Sequence, residues 1–422
     1  MLATTFAAAL AVLVPLPQST SELNGAQPYT AQPYTQAAGQ GSTASYQPRV
    51  LNDQDTAAFR QGLAAARARN VVDTQTAIAR IGDPTARKLV EWALVDTSAP
   101  QLSFGELATD QQTLAGWPRA DSRRAAGEIA LDRAGLQPNE VLAFFGNSQP
   151  TTIQGAIALG WALQQTGRTA DAQRLIGDWW RTQSFDDASQ SRILGQWSNW
   201  LTQADHEARL NMLLLGPHGP ATRSMLNLVS PERASIANAV MALRTAYSPD
   251  ATVASLSASQ AVNPAVVLER VRILRGAGRG REGYELLRYL PAAPLHSEGQ
   301  STLWTERRNY YLDALQDRNW QAAYDAMNGH GFPGGDRKVD AEFFAGWVAL
   351  TKLNDPARAA RHFEALRNTS STPITQGRAL YWLGRAAEAQ GDRNGAQQWY
   401  RAGSTHIQTF YGQLAAQKAG ST

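Results

Sequence analysis

Apolar residues recur at three- and four-residue spacing along most of the chain after residue 52, which is the spacing of amphipathic helices. The stretch Pro373–Gly420 shows this pattern most clearly. Leu380 and Leu383 lie on one helical face, Gly391 interrupts the run, and Tyr400 continues it on a second helix. The pattern predicts two paired helices, a turn and the start of a third helix.

The paired helices contain small residues at matching positions. Gly384 and Ala396 lie on opposite arms, where small side chains let two helices approach closely, as in tetratricopeptide-type pairs. Gly160 and Ala172 repeat this spacing, and Gly167 supplies the turn between them. Two looser copies cover Glu342–Leu366 and Val266–Leu290. Because the period is irregular, we expect a curved superhelix of unequal helix pairs.

Helix starts are marked repeatedly, whereas the alternation typical of half-buried strands is absent. A capping residue directly precedes a proline at five places: Asp83-Pro84, Ser230-Pro231, Asn263-Pro264, Asp355-Pro356 and Thr372-Pro373. Two pairs resemble capping boxes, namely Thr202 with Asp205 and Thr405 with Gln408. The predicted fold class is all-α, an α-solenoid of irregular tetratricopeptide-like hairpins over residues 49–422.

The first 48 residues have a different composition. Met1–Pro17 is apolar but too short to cross a bilayer as a lasting helix, and it resembles the core of a secretory signal without the usual basic start. We therefore expect a signal peptide region over residues 1–25, with a disordered tail as the alternative. Residues 26–48 are rich in Gln, Thr, Ser, Gly and Pro, and they predict a low-complexity tether.

Charge and composition exclude several classes of function. The net charge is only +3, and the arginines are spread among acidic neighbours, so we expect no nucleic-acid partner. The chain contains no cysteine, which excludes disulfides, a thiol nucleophile and a thiolate metal site. We expect no cofactor.

The search for catalytic motifs finds only incomplete matches. His206-Glu207 begins like a zinc-protease motif, but Leu210 stands where the second histidine is needed, so we expect no metal site. Gly278, Gly280 and Gly283 satisfy the spacing GxGxxG, yet they follow a predicted helix, which favours an inter-helix turn over a dinucleotide site. No catalytic residue is predicted, and the substrate-binding residues stay open.

Twelve tryptophans could either pack between helices or stack on sugar rings. Five of them fall at helical positions inside the repeat units: Trp161, Trp179, Trp347, Trp382 and Trp399. Core packing is sufficient to explain these positions, and the sequence does not distinguish the two roles for any one of them.

Several strings of residues, in order, resemble the superhelical region of soluble lytic murein transglycosylases. The last is Tyr381–Gly420, with YWLGRAAEAQG, WY and TFYGQLAAQKAG. The earlier ones are AGWP at Ala115–Pro118 with Glu128 after it, PTTIQG at Pro150–Gly155, LTQADHEARL at Leu201–Leu210, LWTERRNYYLDAL at Leu303–Leu315 and AEFFAGWVAL at Ala341–Leu350. From the first string to the last, they span most of the predicted ordered chain.

The resemblance implies a periplasmic protein of cell-wall turnover. The family cleaves the bond between N-acetylmuramic acid and N-acetylglucosamine in peptidoglycan and leaves a 1,6-anhydromuramyl end. Its catalytic glutamate belongs to a Glu-Ser pair in a lysozyme-like domain after the superhelix, and this chain has no Glu-Ser pair. The resemblance therefore transfers no catalytic residue, and whether the chain is itself an enzyme stays open.

Two functions remain possible at this point. The first is the ring-forming, substrate-guiding part of a lytic transglycosylase whose catalytic domain would continue beyond Thr422, with glycan strands and that domain as partners. The second is a stand-alone periplasmic helical-repeat module that binds a protein. For both we expect a periplasmic location and no integral membrane span.

Overall fold

The computed structural model describes residues 51–216, 219–293 and 297–420, and all regular secondary structure in these residues is helical. The first described helix begins at Asp53, and the described residues from Asp53 onward form one compact unit. The predictions for residues 1–25 and 26–48 lie outside the described residues. The all-α fold class is thus confirmed for the part of the chain that the structure describes.

The first half of this unit contains helices α1 to α10, with bounds Asp53–Arg67, Val71–Arg80, Pro84–Ser98, Phe104–Thr113, Ala120–Ala134, Pro138–Phe145, Ile153–Gln165, Thr169–Thr182, Asp187–Trp197 and Gln203–Leu214. The second half contains α11 to α22, with bounds Pro220–Ser224, Pro231–Leu243, Asp250–Ala254, Ala258–Ala261, Pro264–Gly276, Ser297–Gln316, Trp320–Met327, Gly335–Thr351, Pro356–Thr369, Pro373–Ala389, Arg393–Ser404 and Phe410–Ala419. Four 3₁₀ helices complete the described elements: Ala99–Gln101, Ser198–Trp200, Met225–Asn227 and Gly280–Tyr289.

Most helices pack against their neighbours in the chain. The most extensive pairs are α18 with α19 and α20 with α21, and α7 packs on α8 in the same way. Contacts of this kind are local in sequence, which is why helical periodicity alone predicts much of the fold. None of the described helices combines the length and the apolar composition needed to cross a membrane.

The glycines of three predicted repeat units lie where their helices come closest. A Cβ atom on Gly160 would lie 2.9 Å from Cδ1 of Ile176, and one on Gly384 would overlap the ring of Tyr400. In the Glu342–Leu366 unit, a Cβ atom on Gly346 would lie 2.6 Å from Cε1 of Phe363. Phe363 stands one position further from its glycine than Ile176 and Tyr400 do from theirs, which is the one-residue slippage seen in the sequence. The predicted close approach of these helix pairs is confirmed.

Most predicted helix starts are confirmed. Four of the five capping residues before proline accept backbone hydrogen bonds at the first turn: Asp83, Ser230, Asn263 and Asp355. Thr372 also precedes a helix, but its side chain makes no capping hydrogen bond and donates instead to Thr375 at 3.0 Å. The capping box of Thr202 with Asp205 is present.

Two predictions need correction. Thr405 is the C-cap residue directly after α21 rather than a helix start, and Thr409 caps α22 instead. In the copy Val266–Leu290 the second arm is a 3₁₀ helix, not an α-helix. The predicted third helix, α22, packs on α20 and α21, with Ala415 fully buried and Phe410 47% exposed.

The tryptophans differ in how deeply they are buried. Of the five weighed, Trp347 is buried, and the other four are only partly buried against the core. The largest fully buried side chains include Trp180 and Trp197, which are part of a core shared by α7 to α12 and α15. Helical spacing could have identified Trp180, because Ala172 and Ile176 precede it at four-residue steps on one face.

Candidate functional site

The residues of the incomplete zinc motif are engaged in packing and in an ion pair. His206 lies against the indole of Trp180 with ring centroids 5.5 Å apart, and burial lowers the pKa of this imidazole. Glu207 is paired with Arg233 at 3.4 Å. Within the described residues, no group of three His, Asp or Glu side chains is placed to hold a metal ion.

Only Gly278 of the GxGxxG stretch lies in the expected turn between helices, whereas Gly280 and Gly283 belong to the 3₁₀ helix that follows. Gly278 adopts a left-handed conformation with φ +73°, and Gly283 faces Tyr310 with no space for a side chain. An open cleft of about 580 Å³ lies beside this turn. The three guanidiniums that line it are already bound to carboxylates, Arg275 to Glu306, Arg281 to Asp317 and Arg279 to two acidic neighbours. This cleft therefore has no free cation for a phosphate.

The strings that carry the family resemblance contain buried polar side chains that join helices. Glu128 on α5 is fully buried and accepts hydrogen bonds from the backbone N–H groups of Thr151 and Thr152. Both threonine hydroxyls also donate to it, and Arg124 forms an ion pair with it at 3.2 Å. Gly155 leaves room for the carboxylate, since a Cβ there would collide with it. Two separate strings thus meet at one buried carboxylate.

A buried guanidinium plays the same part in the string Leu201–Leu210. Arg209 donates to the side chain of Gln190 at 2.6 Å and to the carbonyl oxygens of Trp180 and Gln183 at 3.1 Å. Its guanidinium also lies over the rings of Trp180 and Phe185, at 4.6 and 3.8 Å from their centroids. Burial lowers the pKa of Arg209 to about 9, which shows how far this cation is removed from water.

The string Leu303–Leu315 contributes a second buried guanidinium. Arg307 is 1% exposed and donates to the carbonyl oxygens of Pro291, Ala326 and Asn328 at 2.7–3.0 Å. These acceptors lie at the end of α17, in the segment after it and in the segment after the 3₁₀ helix. One side chain of α16 therefore ties together the end of α17, the segment after it and the segment after the 3₁₀ helix.

The string Ala341–Leu350 contains a carboxylate shared by two imidazoles. Glu342 accepts hydrogen bonds from Nε2 of His330 at 3.0 Å and from Nδ1 of His362 at 2.7 Å. The backbone N–H of Phe332 donates to Nδ1 of His330 at 2.9 Å, so the proton of that ring is on Nε2. Because each carboxylate oxygen is bound to a different imidazole, the cluster offers no open position to a metal.

The same cluster has the order hydroxyl, imidazole, carboxylate that activates nucleophiles in enzymes. Tyr324 lies 3.0 Å from Nε2 of His362. However, Tyr324 is only 6% exposed, and the guanidinium of Arg358 covers its ring at 4.9 Å. A substrate has no access to this hydroxyl, so the chain of hydrogen bonds connects α17, α18 and α19 rather than performing chemistry.

A larger opening lies along α8, and we call it the α8 groove. Its floor consists of Leu142, Leu159, Leu163 and Leu175, and Trp179 forms one wall. The cavity measures about 680 Å³, within the range of about 300–1,000 Å³ typical of ligand sites. The groove cannot be predicted from one stretch of sequence, because its lining comes from α6, α7, α8 and the loop after α6.

The rim of the α8 groove is polar. Residues Asn147, Ser148 and Gln149 form one side, and Thr182 and Gln183 lie at the end of α8. The groove can hold a ligand, but its lining contains no acid–base pair that could act on one.

No family model matches the chain, and no curated protein matches it either.

Proposed function

We propose that this protein is the superhelical, ring-forming and substrate-guiding part of a periplasmic lytic transglycosylase that acts on peptidoglycan. In this proposal the helix pairs are tetratricopeptide-like and follow one another as an α-solenoid. Bond cleavage belongs to a lysozyme-like catalytic domain that works beside them. The chain itself contributes binding and guidance of glycan strands.

One observation carries this proposal. Five of the six strings that resemble the family contain or contact a buried or partly buried polar residue that joins helices. Glu128, Arg209, Arg307 and Glu342 are the four central residues of these contacts. A chance match of sequence would have no reason to coincide with the side chains on which the packing depends.

Serial packing supports the solenoid part of the proposal. Helix pairs stack on their neighbours, and three pairs share the contact of a glycine with a large side chain. Repeats that contact mainly their neighbours build extended binding surfaces. Such a surface suits a long polymer such as a glycan strand.

Sedimentation with purified peptidoglycan sacculi tests the proposal. We expect the chain to sediment with sacculi and to release no 1,6-anhydromuropeptides, because the family's Glu-Ser pair is absent. Failure to bind sacculi would overturn the guiding role. Release of anhydro products by protein free of other lytic enzymes would instead make this chain the enzyme.

A second candidate, a stand-alone protein-binding module, is favoured by one observation. Ile374, Ile407 and Phe410 are all exposed, and the segments that carry them meet where Gly377 contacts Thr409. Exposed apolar side chains that are grouped in this way are typical of protein contacts. Stable binding of a periplasmic protein without any affinity for sacculi would favour this candidate.

A further inference from the structure

The α8 groove combines an apolar floor with a polar rim. Leu159 and Leu163 are buried beneath it, and Trp179 stands beside them, partly buried. A pyranose ring has the matching chemistry, since its faces carry C–H groups and its edge carries hydroxyls. We propose that the α8 groove binds an oligosaccharide, with the indole of Trp179 against the C–H face of one sugar ring.

The rim supplies hydrogen-bonding groups that the described protein leaves unused. The side chains of Asn147, Ser148 and Gln149 are exposed and make no hydrogen bond to a described residue. Two amides and one hydroxyl in a row can both donate and accept. They match the hydroxyl and N-acetyl groups of an amino sugar, which also do both.

The charges of the groove cancel. Its lining contains two guanidiniums, Arg168 and Arg174, and two carboxylates, Asp171 and Asp178. Asp171 binds both guanidiniums, and Asp178 is paired with Arg181 next to the groove. With no isolated charge available, the groove favours an uncharged polar ligand over a nucleic acid or a phosphate.

The dimensions favour an oligomer over a single sugar. The lining extends from Arg168 to Gln183, and a helix of this length runs about 20 Å. A peptide fits the groove less well. The described residues contain no strand to which an extended peptide could add, and a helical peptide would need a continuous apolar seam in place of this polar rim.

The choice of ligand for the test rests on the proposed function, because peptidoglycan consists of N-acetylated hexoses. The probes are chitotetraose, measured by isothermal titration calorimetry, and peptide-free glycan strands prepared from sacculi. The full chain should bind both. Intact sacculi form a third arm, which tests the proposed function separately.

Two groove variants and one control are compared. Trp179→Ala should weaken chitotetraose binding about tenfold or more, as expected for a central aromatic contact. Asn147→Ala/Gln149→Ala should weaken it about three- to tenfold, and these exposed side chains leave packing unchanged. Trp399→Ala is the control, because Trp399 is equally partly buried but lies on α21, outside the groove. It should bind as the unchanged protein does.

Each outcome decides one of the two ideas. Equal chitotetraose binding by all variants, or no binding at all, overturns the groove assignment. If the groove variants still bind sacculi, the proposed function stands, but the groove is not the site of that binding. Groove-dependent sugar binding without sacculus binding supports the site and overturns the proposed function. Binding to intact sacculi that is lost on peptide-free strands would show that the groove holds peptide.

Discussion

Gly384 on α20 faces the ring of Tyr400 on α21 so closely that one added carbon atom would overlap ring atoms Cε1 and Cδ1. Tyr400 is fully buried, so its ring has no free space to move into. The glycine therefore sets the distance between the two helices. Gly346 has the same relationship to Phe363 in the preceding pair.

We first predict that Gly384→Ala destabilises the protein. Overpacking of this kind costs about 1–3 kcal/mol in the free energy of unfolding, more than the gain of up to about 1 kcal/mol from replacing glycine in a helix. Gly195→Ala is the control, because Gly195 is an exposed position on α9 and nothing lies within 4 Å of an added Cβ there. The urea concentration at the midpoint of unfolding should be lower for Gly384→Ala and equal or higher for Gly195→Ala than for the unchanged protein. Shifts in the same direction would contradict the close contact.

The second prediction concerns Glu128. In Glu128→Gln the amide nitrogen would face backbone N–H groups of Thr151 or Thr152, which leaves buried donors unsatisfied. We expect a loss of about 3 kcal/mol in the free energy of unfolding. Glu140→Gln provides a matched control in an exposed capping box, where glutamine accepts the same bond and the loss stays below about 1 kcal/mol. Losses of equal size would show that Glu128 is not a buried anchor.

The third prediction concerns Arg307, whose planar guanidinium reaches three separate carbonyl groups. Lysine carries the same charge but cannot span these acceptors. Arg307→Lys should therefore cost about 2–4 kcal/mol in the free energy of unfolding. Arg401→Lys is the exposed control on α21 and should change the free energy by less than about 0.5 kcal/mol. An unchanged midpoint for Arg307→Lys would mean that the three segments hold together without this residue.

The features that sequence predicted are local ones. Asp83 before Pro84 indicates a helix start because cap and helix are neighbours in the chain. The spacing of Gly384 and Ala396 likewise lies within one hairpin. In contrast, nothing around Glu128 distinguishes it from a solvated glutamate, since its partner Thr151 is remote in sequence. Only the family resemblance pointed to that region, and it gave no physical reason.

Trp179 and Trp180 show the same limit at the candidate site. The two are adjacent, yet one lines the α8 groove and the other is fully buried. Helical periodicity separates them, because successive residues differ by about 100° around the axis. It does not reveal the groove itself, whose opposite side comes from Asn147 and its neighbours. The candidate site depends on how three helices meet, which no single stretch of sequence encodes.

The cluster around Glu342 gives stability a specific dependence on pH. Burial alone would raise the pKa of this carboxyl, but the hydrogen bonds from His330 and His362 outweigh burial and lower the pKa from 4.5 to about 2. A carboxyl whose pKa is lower in the folded state stabilises the protein above its unfolded pKa. This contribution is lost as pH falls from about 4.5 toward 2.

The last prediction follows from this lowered pKa. Because one pKa unit corresponds to about 1.4 kcal/mol, ionised Glu342 contributes about 3 kcal/mol to the free energy of unfolding at neutral pH. The amide of Glu342→Gln does not ionise, so the variant lacks this term at every pH. The difference in free energy between the two, measured by urea unfolding from pH 7 down to pH 2.5, should be present at pH 5.5 and shrink steadily as the pH falls below about 4.5. Parallel curves over the whole range would show that the two histidines do not hold Glu342 in its ionised form.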